Sequence, residues 1–442
     1  MKVRPGLLRR RLWTTAFVVA ILGSSAGCSS VVMESPVRVP SPPSTPVSDL
    51  IFYEANFQTL TGGNKFQALD ARLNAIAALS VNVLWLMPIH PIGVLKSVGS
   101  PYCVRDYEAT NPDLGSLDDL RTLVADAHRK GISVILDWVA NHTAWDNPWI
   151  SHKDWYTQDA QGNIISPAGF NWPDVADLNY NTAGLRSAMV EAMEFWVDAV
   201  GIDGFRCDAA DYVPDDFWAQ AIGAVNSHAG HTLVWLAEGS RTSLYQDGFA
   251  LLYGWNFSDT LLQVFQGKAV PASLSGLEGG QTRLLYTTNH DKSAWDGSPV
   301  TLYGSESTAL AAFAAAVFSG GPPLVYGSQE VGFPTTVSFF GPQPVDWGAH
   351  PEVRQEYERL LALRKATPAA RTGVRTDLST GNLLAFRRTA AEGSLVFAAA
   401  LGNQPATLTV PPGSWVESAG GAIPAGTDLV IPAQGYRILV TR

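Results

Sequence analysis

From residue 51 onward, short runs of consecutive apolar residues alternate with longer stretches in which apolar positions recur every three to four residues. The first kind predicts strands buried on both faces, and the second predicts amphipathic helices. IFYEANF (51–57) precedes the helical FQALDARLNAIAALS (66–80), and VNVLWLMP (81–88) precedes a long loop. LDDLRTLVADAHRKG (117–131) then leads into ISVILDWV (132–139). The rhythm continues with MVEAMEFWVDAV before GIDGFRCD (201–208) and FWAQAIGAVNSH before TLVWLAE (232–238). LLYGWNF (251–257), RLLYTTNHD (283–291) and PLVYGSQE (323–330) complete it. Eight such strands predict a parallel sheet closed into a (β/α)8 TIM barrel rather than an open doubly wound sheet. No glycine-rich phosphate loop follows any of them, which argues against nucleotide binding.

Two segments break the pattern. Between His142 and about Tyr180 no helical period is present, yet Trp145, Trp149, Trp155 and Trp172 fall there. A connection this long predicts a small subdomain inserted after the third strand, with its tryptophans either packing that insert or walling a ligand site. After about residue 370 the texture changes to NLLAFRR, SLVFAAAL, ATLTV and DLVIPAQGYRILV with turns between them. These predict a C-terminal antiparallel β-sandwich. The expected organisation is an α/β barrel over 50–369, with the insert at 142–180, and a β domain over 370–442.

The first 49 residues stand outside this scheme. A basic start, the apolar run LWTTAFVVAILG and the small residues SSAGC read as an export signal over 1–28, with a run too short for a comfortable membrane span. Its end resembles the lipobox of bacterial lipoproteins, which implies acylation of Cys28. The protein is therefore expected to be exported and held to a membrane only through that N-terminal lipid anchor, or otherwise to be periplasmic or secreted. Residues 29–49, rich in Pro and Ser, read as an extended tether. Over 442 residues, 46% are apolar and 16% charged, so a large core is expected and global disorder is excluded. The formal net charge is −10; Lys2, Arg4, Arg9, Arg10 and Arg11 face no acid within residues 1–28, which leaves −15 for the remainder. Such an acidic body is unsuited to nucleic acid, whose binding needs clustered cations. Cys103 and Cys207, the two cysteines beyond Cys28, carry no disulfide framework and are expected as free thiols.

In a barrel of this type chemistry gathers where strands end and loops begin. Those positions hold Asp137, Asn141 and His142 in ILDWVANH, Arg206 and Asp208 in GFRCD, Glu238 in LVWLAE, and Asn289, His290 and Asp291 in TTNHD. Arg206 and Asp208 are two apart on one strand, so both project to the same face, where the guanidinium would hold the carboxylate ionised. Buried acids are costly unless paired or used, so four at one end of a sheet point to function. Paired carboxylates without a metal or cofactor motif suggest glycoside hydrolysis.

LMPIHPIG, SPYCVRDY, NPDLGSLDDLRTLVADAHRKGISVILDWVANHT, ADLNYNT, GIDGFRCDAAD, WLAEGS and TTNHD occur in this order. Together they resemble the α-amylase family of retaining glycoside hydrolases, from about Ile51 to about Pro368. The resemblance implies that Asp208 is the nucleophile, Glu238 the general acid and base, and Asp291 a third acid that grips the sugar and stabilises the transition state. It further implies that Arg206 supports Asp208, that His142 and His290 bond sugar hydroxyls, and that Tyr102 forms a stacking floor. Asp137 is expected to be structural. A structural Ca2+ would be held by Asn141 and Asp177, and no organic cofactor is implied. Where the family carries lysine and histidine after the nucleophile, this chain has Asp211 and Tyr212, which bears on both the metal and the acceptor side. The implied activity is hydrolysis of α-glucosidic bonds, mainly α-1,4, in starch-derived glucans or malto-oligosaccharides. The alternatives are a transglycosylase acting on α-glucosides and a noncatalytic glucan-binding lipoprotein, the latter disfavoured because all three acids are present.

Overall fold

A computed structural model describes residues 40–42, 44–274, 281–418 and 420–441. The export signal, Cys28 and most of the tether lie outside the described residues. No helix among the described residues is long and apolar enough to cross a membrane.

Eight strands build the central sheet: β1 (Phe52–Ala55), β2 (Val83–Leu86) and β3 (Ser133–Val139) come first. A two-stranded antiparallel ribbon, β4 (His142–Ala144) with β5 (Val175–Asp177), rises from the insert. The sheet then resumes with β6 (Gly204–Asp208), β7 (Val234–Ala237), β8 (Leu251–Tyr253), β9 (Arg283–Leu284) and β10 (Leu324–Tyr326). Neighbours are parallel in the order β10-β1-β2-β3-β6-β7-β8-β9. The last gap is closed just beyond β9, where Leu285 N donates to Pro322 O at 2.8 Å and Leu324 N donates to Leu285 O at 2.9 Å. The chain therefore forms a closed (β/α)8 barrel.

Alternation along the strands explains where the site falls. Tyr53, Leu84, Leu86, Val134 and Leu136 point outward into the core shared with the helices, whereas Phe52, Val83, Trp85, Ile135 and Leu236 point into the barrel. Two residues further on, the inward series becomes polar: Glu54 follows Phe52, Asp137 follows Ile135, Asp208 follows Arg206 and Glu238 follows Leu236. One end of the barrel is thus an apolar plug and the other a nest of acids. Gly204 marks how tightly β6 and β7 approach, because a Cβ there would lie 2.0 Å from Val234 O.

The helix Leu117–Arg129 shows how the outer layer is specified. Ser116 caps it reciprocally with Asp119, and Leu120, Leu123, Val124 and Ala127 form the buried stripe at helical spacing. Its His128 lies 2.9 Å from Asp203, whose carboxylate also accepts from Val134 N, which ties the helix to two strands.

The C-terminal strands Val374–Asp377, Leu383–Ala390, Gly393–Ala400, Trp415–Glu417, Ala422–Ile423 and Tyr436–Thr441 form a six-stranded antiparallel sheet. Ala406–Thr409 pairs with Asp428–Ile431 as a second layer. SLVFAAAL is apolar throughout because Leu395, Phe397 and Ala399 face the barrel's core while Val396, Ala398 and Ala400 face the second layer. Cys103 and Cys207 are buried free thiols, as expected.

Two expected strands are shorter than their apolar runs. LLYGWNF leaves the sheet at Tyr253, and a helix starts at Trp255 after Gly254. RLLYTTNHD pairs only briefly, and His290 and Asp291 open the short helix His290–Trp295, capped by Asn289. Asp291 is therefore delivered by a helix start rather than by a strand end.

Candidate active site

Arg206 is the hub of the acid nest. Fully buried, it donates through Nη1 to Asp137 at 2.7 Å and to Asp208 at 2.8 Å, and through Nε to the Tyr253 hydroxyl at 3.0 Å. Its Nη2 lies 3.0 Å from Glu238 Oε2, close enough to pair electrostatically although not aligned as a hydrogen bond. The register explains the convergence: Asp137 sits opposite Arg206, and Cys207 sits opposite Ala237, which brings Asp208 and Glu238 alongside each other. Glu238 also accepts from Ala209 N at 2.8 Å. Ala209 holds the left-handed region, with φ +46°, to aim that amide.

One guanidinium facing three carboxyls cannot keep all of them charged. Burial raises Glu238 to about 7, with Arg206 opposing and the charges of Asp208 and Asp291 adding to the rise. Asp208 rises to about 6, again through burial and against Arg206, so the expected net lowering by the guanidinium is overturned by desolvation. Asp137 is likewise raised by burial to about 6. Its Oδ2 accepts from Trp85 Nε1 and the Tyr102 hydroxyl, both at 3.1 Å, a bracing position with no place in the cavity wall.

Asp208, Glu238, Asp291, Tyr102, His142 and His290 all line one cavity of about 880 Å3 at the acid end of the barrel. A cleft of this size with few, convergent polar groups and aromatic walls suits a sugar chain, whose rings have apolar faces. A family profile described as "Alpha amylase, catalytic domain" matches residues 52–232. An α-amylase of Haloarcula japonica is 27% identical over 418 residues, which cover 86% of this chain and 58% of that protein. A trehalose synthase of Pimelobacter is 30% identical over 200 residues, which cover 37% of this chain and 34% of that protein. The crystal structure of an α-amylase from Lactobacillus plantarum superposes with a TM-score of 0.80 at 26% identity, covering 90% of this chain and 99% of that one. Residues 52–232 belong to the α-amylase catalytic-domain family. The chain spans just over half the length of the first of these curated relatives and about a third of the second.

The remaining residues of the cleft divide by charge. His290 Nδ1 is 2.5 Å from Glu54 Oε1, and its Nε2 is 2.8 Å from the Tyr102 hydroxyl and 3.3 Å from Asp291. Burial alone would depress this imidazole, but Asp291 and Glu54 outweigh it and hold His290 up at about 9, hence cationic. Tyr102 stacks on it with ring centres 5.5 Å apart, so the floor is a paired aromatic and imidazolium surface. His142 has the opposite character: burial lowers it to about 4, and both nitrogens are engaged, with Tyr102 O and with the Asn141 amide, each at 3.2 Å. It lines the cavity, but a sugar hydroxyl would have to share a nitrogen already bonded.

Asn141 and Asp177 stand close together, since Asp177 faces His142 across the ribbon and Leu178 N donates to Asn141 O. Ca2+ takes six to eight oxygens. Among the described residues no cluster of three His, Cys, Asp or Glu side chains includes Asp177. The carbonyls of Ala210 and Val213, in the loop after Asp208, accept from Arg241 Nη2 at 3.1 and 2.9 Å. These residues alone make an incomplete calcium cage, and no chemical step below passes through a cation.

Glu54 escaped the sequence reading, although an acid inside the apolar IFYEANF was a usable signal of a buried functional partner. Trp85 and Tyr253, which brace Asp137 and Arg206, gave no signal, because aromatics inside a strand look like core. Of the four tryptophans in the insert only Trp172 reaches the cavity; Trp149 packs on Trp155 and on Tyr107, and Trp145 lies beneath Lys96.

Proposed function

We propose that the protein is a retaining α-glycosidase that hydrolyses α-glucosidic bonds, mainly α-1,4, in starch-derived glucans or malto-oligosaccharides. The observation that carries this reading is the attachment of Asp208 and Glu238 to adjacent arms of one guanidinium beneath a single cavity. Pairing of both carboxyls with one guanidinium supports a short separation of the kind a retaining pair needs, about 5–5.5 Å. Asp208 attacks the anomeric carbon as Glu238, protonated near neutrality, gives its proton to the departing oxygen. Glu238 then removes a proton from the water that releases the glycosyl group from Asp208. Asp291, with the His290 cation beside it, holds the sugar hydroxyls, and Tyr102 supports the ring.

A transglycosylase on the same residues is the second reading, favoured by the 30% identity to a protein named trehalose synthase. The two separate on products. Maltoheptaose, starch, pullulan and cyclodextrin are digested separately and followed with time. Hydrolysis is expected to raise total reducing ends, while a constant total with new glucosides would establish transfer instead. Asp208→Asn is expected to keep the fold and glucan binding but to lose turnover, and near-normal hydrolysis by that variant would remove the assignment. Export and acylation at Cys28 complete the proposal, checked by the mass of the mature N-terminus.

A further inference from the structure

We propose that Asp211 and Arg241 form a reciprocal clasp between the loop after Asp208 and the loop after Glu238, and that this clasp positions Glu238 to give its proton. The inference rests on the assignment of Glu238 as the acid. Each member of the clasp stands three residues beyond one carboxyl of the pair, Asp211 beyond Asp208 and Arg241 beyond Glu238.

The two side chains reach across in opposite directions. Arg241 Nη2 donates to Ala210 O at 3.1 Å and to Val213 O at 2.9 Å, the carbonyls at the two ends of the short helical turn Ala210–Tyr212. Asp211 returns the contact: its Oδ2 accepts from Ser240 N at 2.8 Å and from Ser240 Oγ at 3.0 Å, and its Oδ1 accepts from Arg241 N at 3.1 Å. Nε of the same guanidinium lies 3.4 Å from Asp211 Oδ1, and Nη1 lies 2.9 Å from Asp215 Oδ1, so two acids balance its charge. Bonds from side chain to backbone in both directions fix the two loops against each other more firmly than one surface ion pair would.

What the clasp holds is the stretch Ala209–Ala210. Ala209 N donates to Glu238 Oε2 at 2.8 Å and Ala210 N donates to Glu238 O at 3.0 Å, so this stretch grips the acid by side chain and by backbone. Ala209 sits in the left-handed region at φ +46°, a conformation that alanine keeps only when its surroundings impose it. Arg241 is no part of the cavity wall, which makes it a positioning residue acting on Glu238 through the Ala209 amide. An amide donated to a carboxylate favours the charged form, so it tempers the rise that burial imposes on Glu238. The other groups facing Glu238 are Arg206, Asp137, Asp208, Asp291 and the buried hydroxyls of Tyr253 and Tyr286. All of them stay in place when Asp211 or Arg241 is changed.

The test follows kcat/KM against pH for maltotriose and for α-maltosyl fluoride in the unaltered protein, Arg241→Ala and Asp211→Ala. Fluoride leaves as an anion with little need of an acid, whereas the departing sugar oxygen of maltotriose needs a proton. Both variants are expected to lower kcat/KM about tenfold for maltotriose and less than about threefold for the fluoride, since only part of the help of a positioned acid is lost. Both should also move the alkaline limb upward from about 7, because Glu238 loses its amide donor. The two variants remove opposite charges, so a charge effect acting through space would move that limb in opposite directions. Arg241→Lys keeps the charge but loses the fork that spans two carbonyls, and should shift the limb upward as well. Limbs that move apart or stay in place, or equal losses on the two substrates, would overturn the inference while leaving the hydrolase reading intact. Failure of the unaltered protein to cleave maltotriose would overturn the hydrolase reading first, and this inference with it.

Discussion

Glu54→Gln is the sharpest probe of how this site is tuned, because it removes one charge and almost no volume. Glu54 is fully buried, its Oε1 lies 2.5 Å from His290 Nδ1, and its Oε2 has no hydrogen-bond partner. At an effective dielectric of about 20, two unit charges about 4 Å apart attract by ~4 kcal/mol, or about three pKa units. Burial raises the pKa of Glu54 itself, and Asp291 remains beside the imidazole, so the removable part is smaller, about two units. His290, held at about 9, should therefore fall to ~7 in the variant. The sign follows directly. In the unaltered protein the ring stays cationic from pH 5 to about 8, and KM for maltotriose has no limb from it. In the variant the cation is lost as pH rises through ~7. A neutral ring that keeps its Nδ1 proton for Gln at position 54 then presents a bare Nε2 towards Tyr102 and Asp291. KM should rise between pH 6 and 8 in Glu54→Gln alone. The assays are KM against pH and an NMR titration of the His290 imidazole. A midpoint near 6.5 in the unaltered protein, or a variant whose KM is as flat as the parent's, would refute the reasoning.

Two further outcomes follow from the same hub. The kcat/KM profile of the unaltered protein should be a narrow bell, falling below about 6 as Asp208 gains a proton and above about 7 as Glu238 loses one, and Glu238→Gln should abolish the alkaline limb. An alkaline limb that survives in Glu238→Gln would assign it elsewhere. Arg206→Lys replaces a fork that reaches three carboxyls with a single ammonium; it should cost about 3–5 kcal/mol in urea denaturation as well as most of kcat, and an unchanged midpoint would show that the buried acids do not depend on the guanidinium.

The barrel was legible because a strand covered on both faces must be apolar at every position, and that pattern repeats eight times without help from tertiary context. Strand ends were less legible. The apolar run of LLYGWNF continues past Tyr253 because Trp255 and Phe257 belong to a helix that also has a buried face. Hydrophobicity reports burial, and two kinds of element bury side chains here in succession. The same limit applies to TTNHD, where Asn289 is a helix cap and not the last residue of a strand.

The acids of the site were visible for a related reason. A carboxylate in a buried strand is so costly that its presence is itself a signal: Asp208 and Glu238 each end an apolar run, and Asp137 interrupts one. What a sequence cannot display is which of several nearby charges dominates. Arg206, two residues from Asp208, implied a lowered carboxyl, yet the same guanidinium also faces Asp137 and Glu238, and its single charge is shared among three. Desolvation then prevails over attraction, and the carboxyls titrate upward. That outcome serves the chemistry better than the simple pair would. An acid held at about 7 is still protonated when substrate arrives near neutrality, whereas one pulled down by a private cation would have no proton to give. In the proposed mechanism the hub favours ionisation of Asp208 ahead of Glu238, the order that a nucleophile and an acid need.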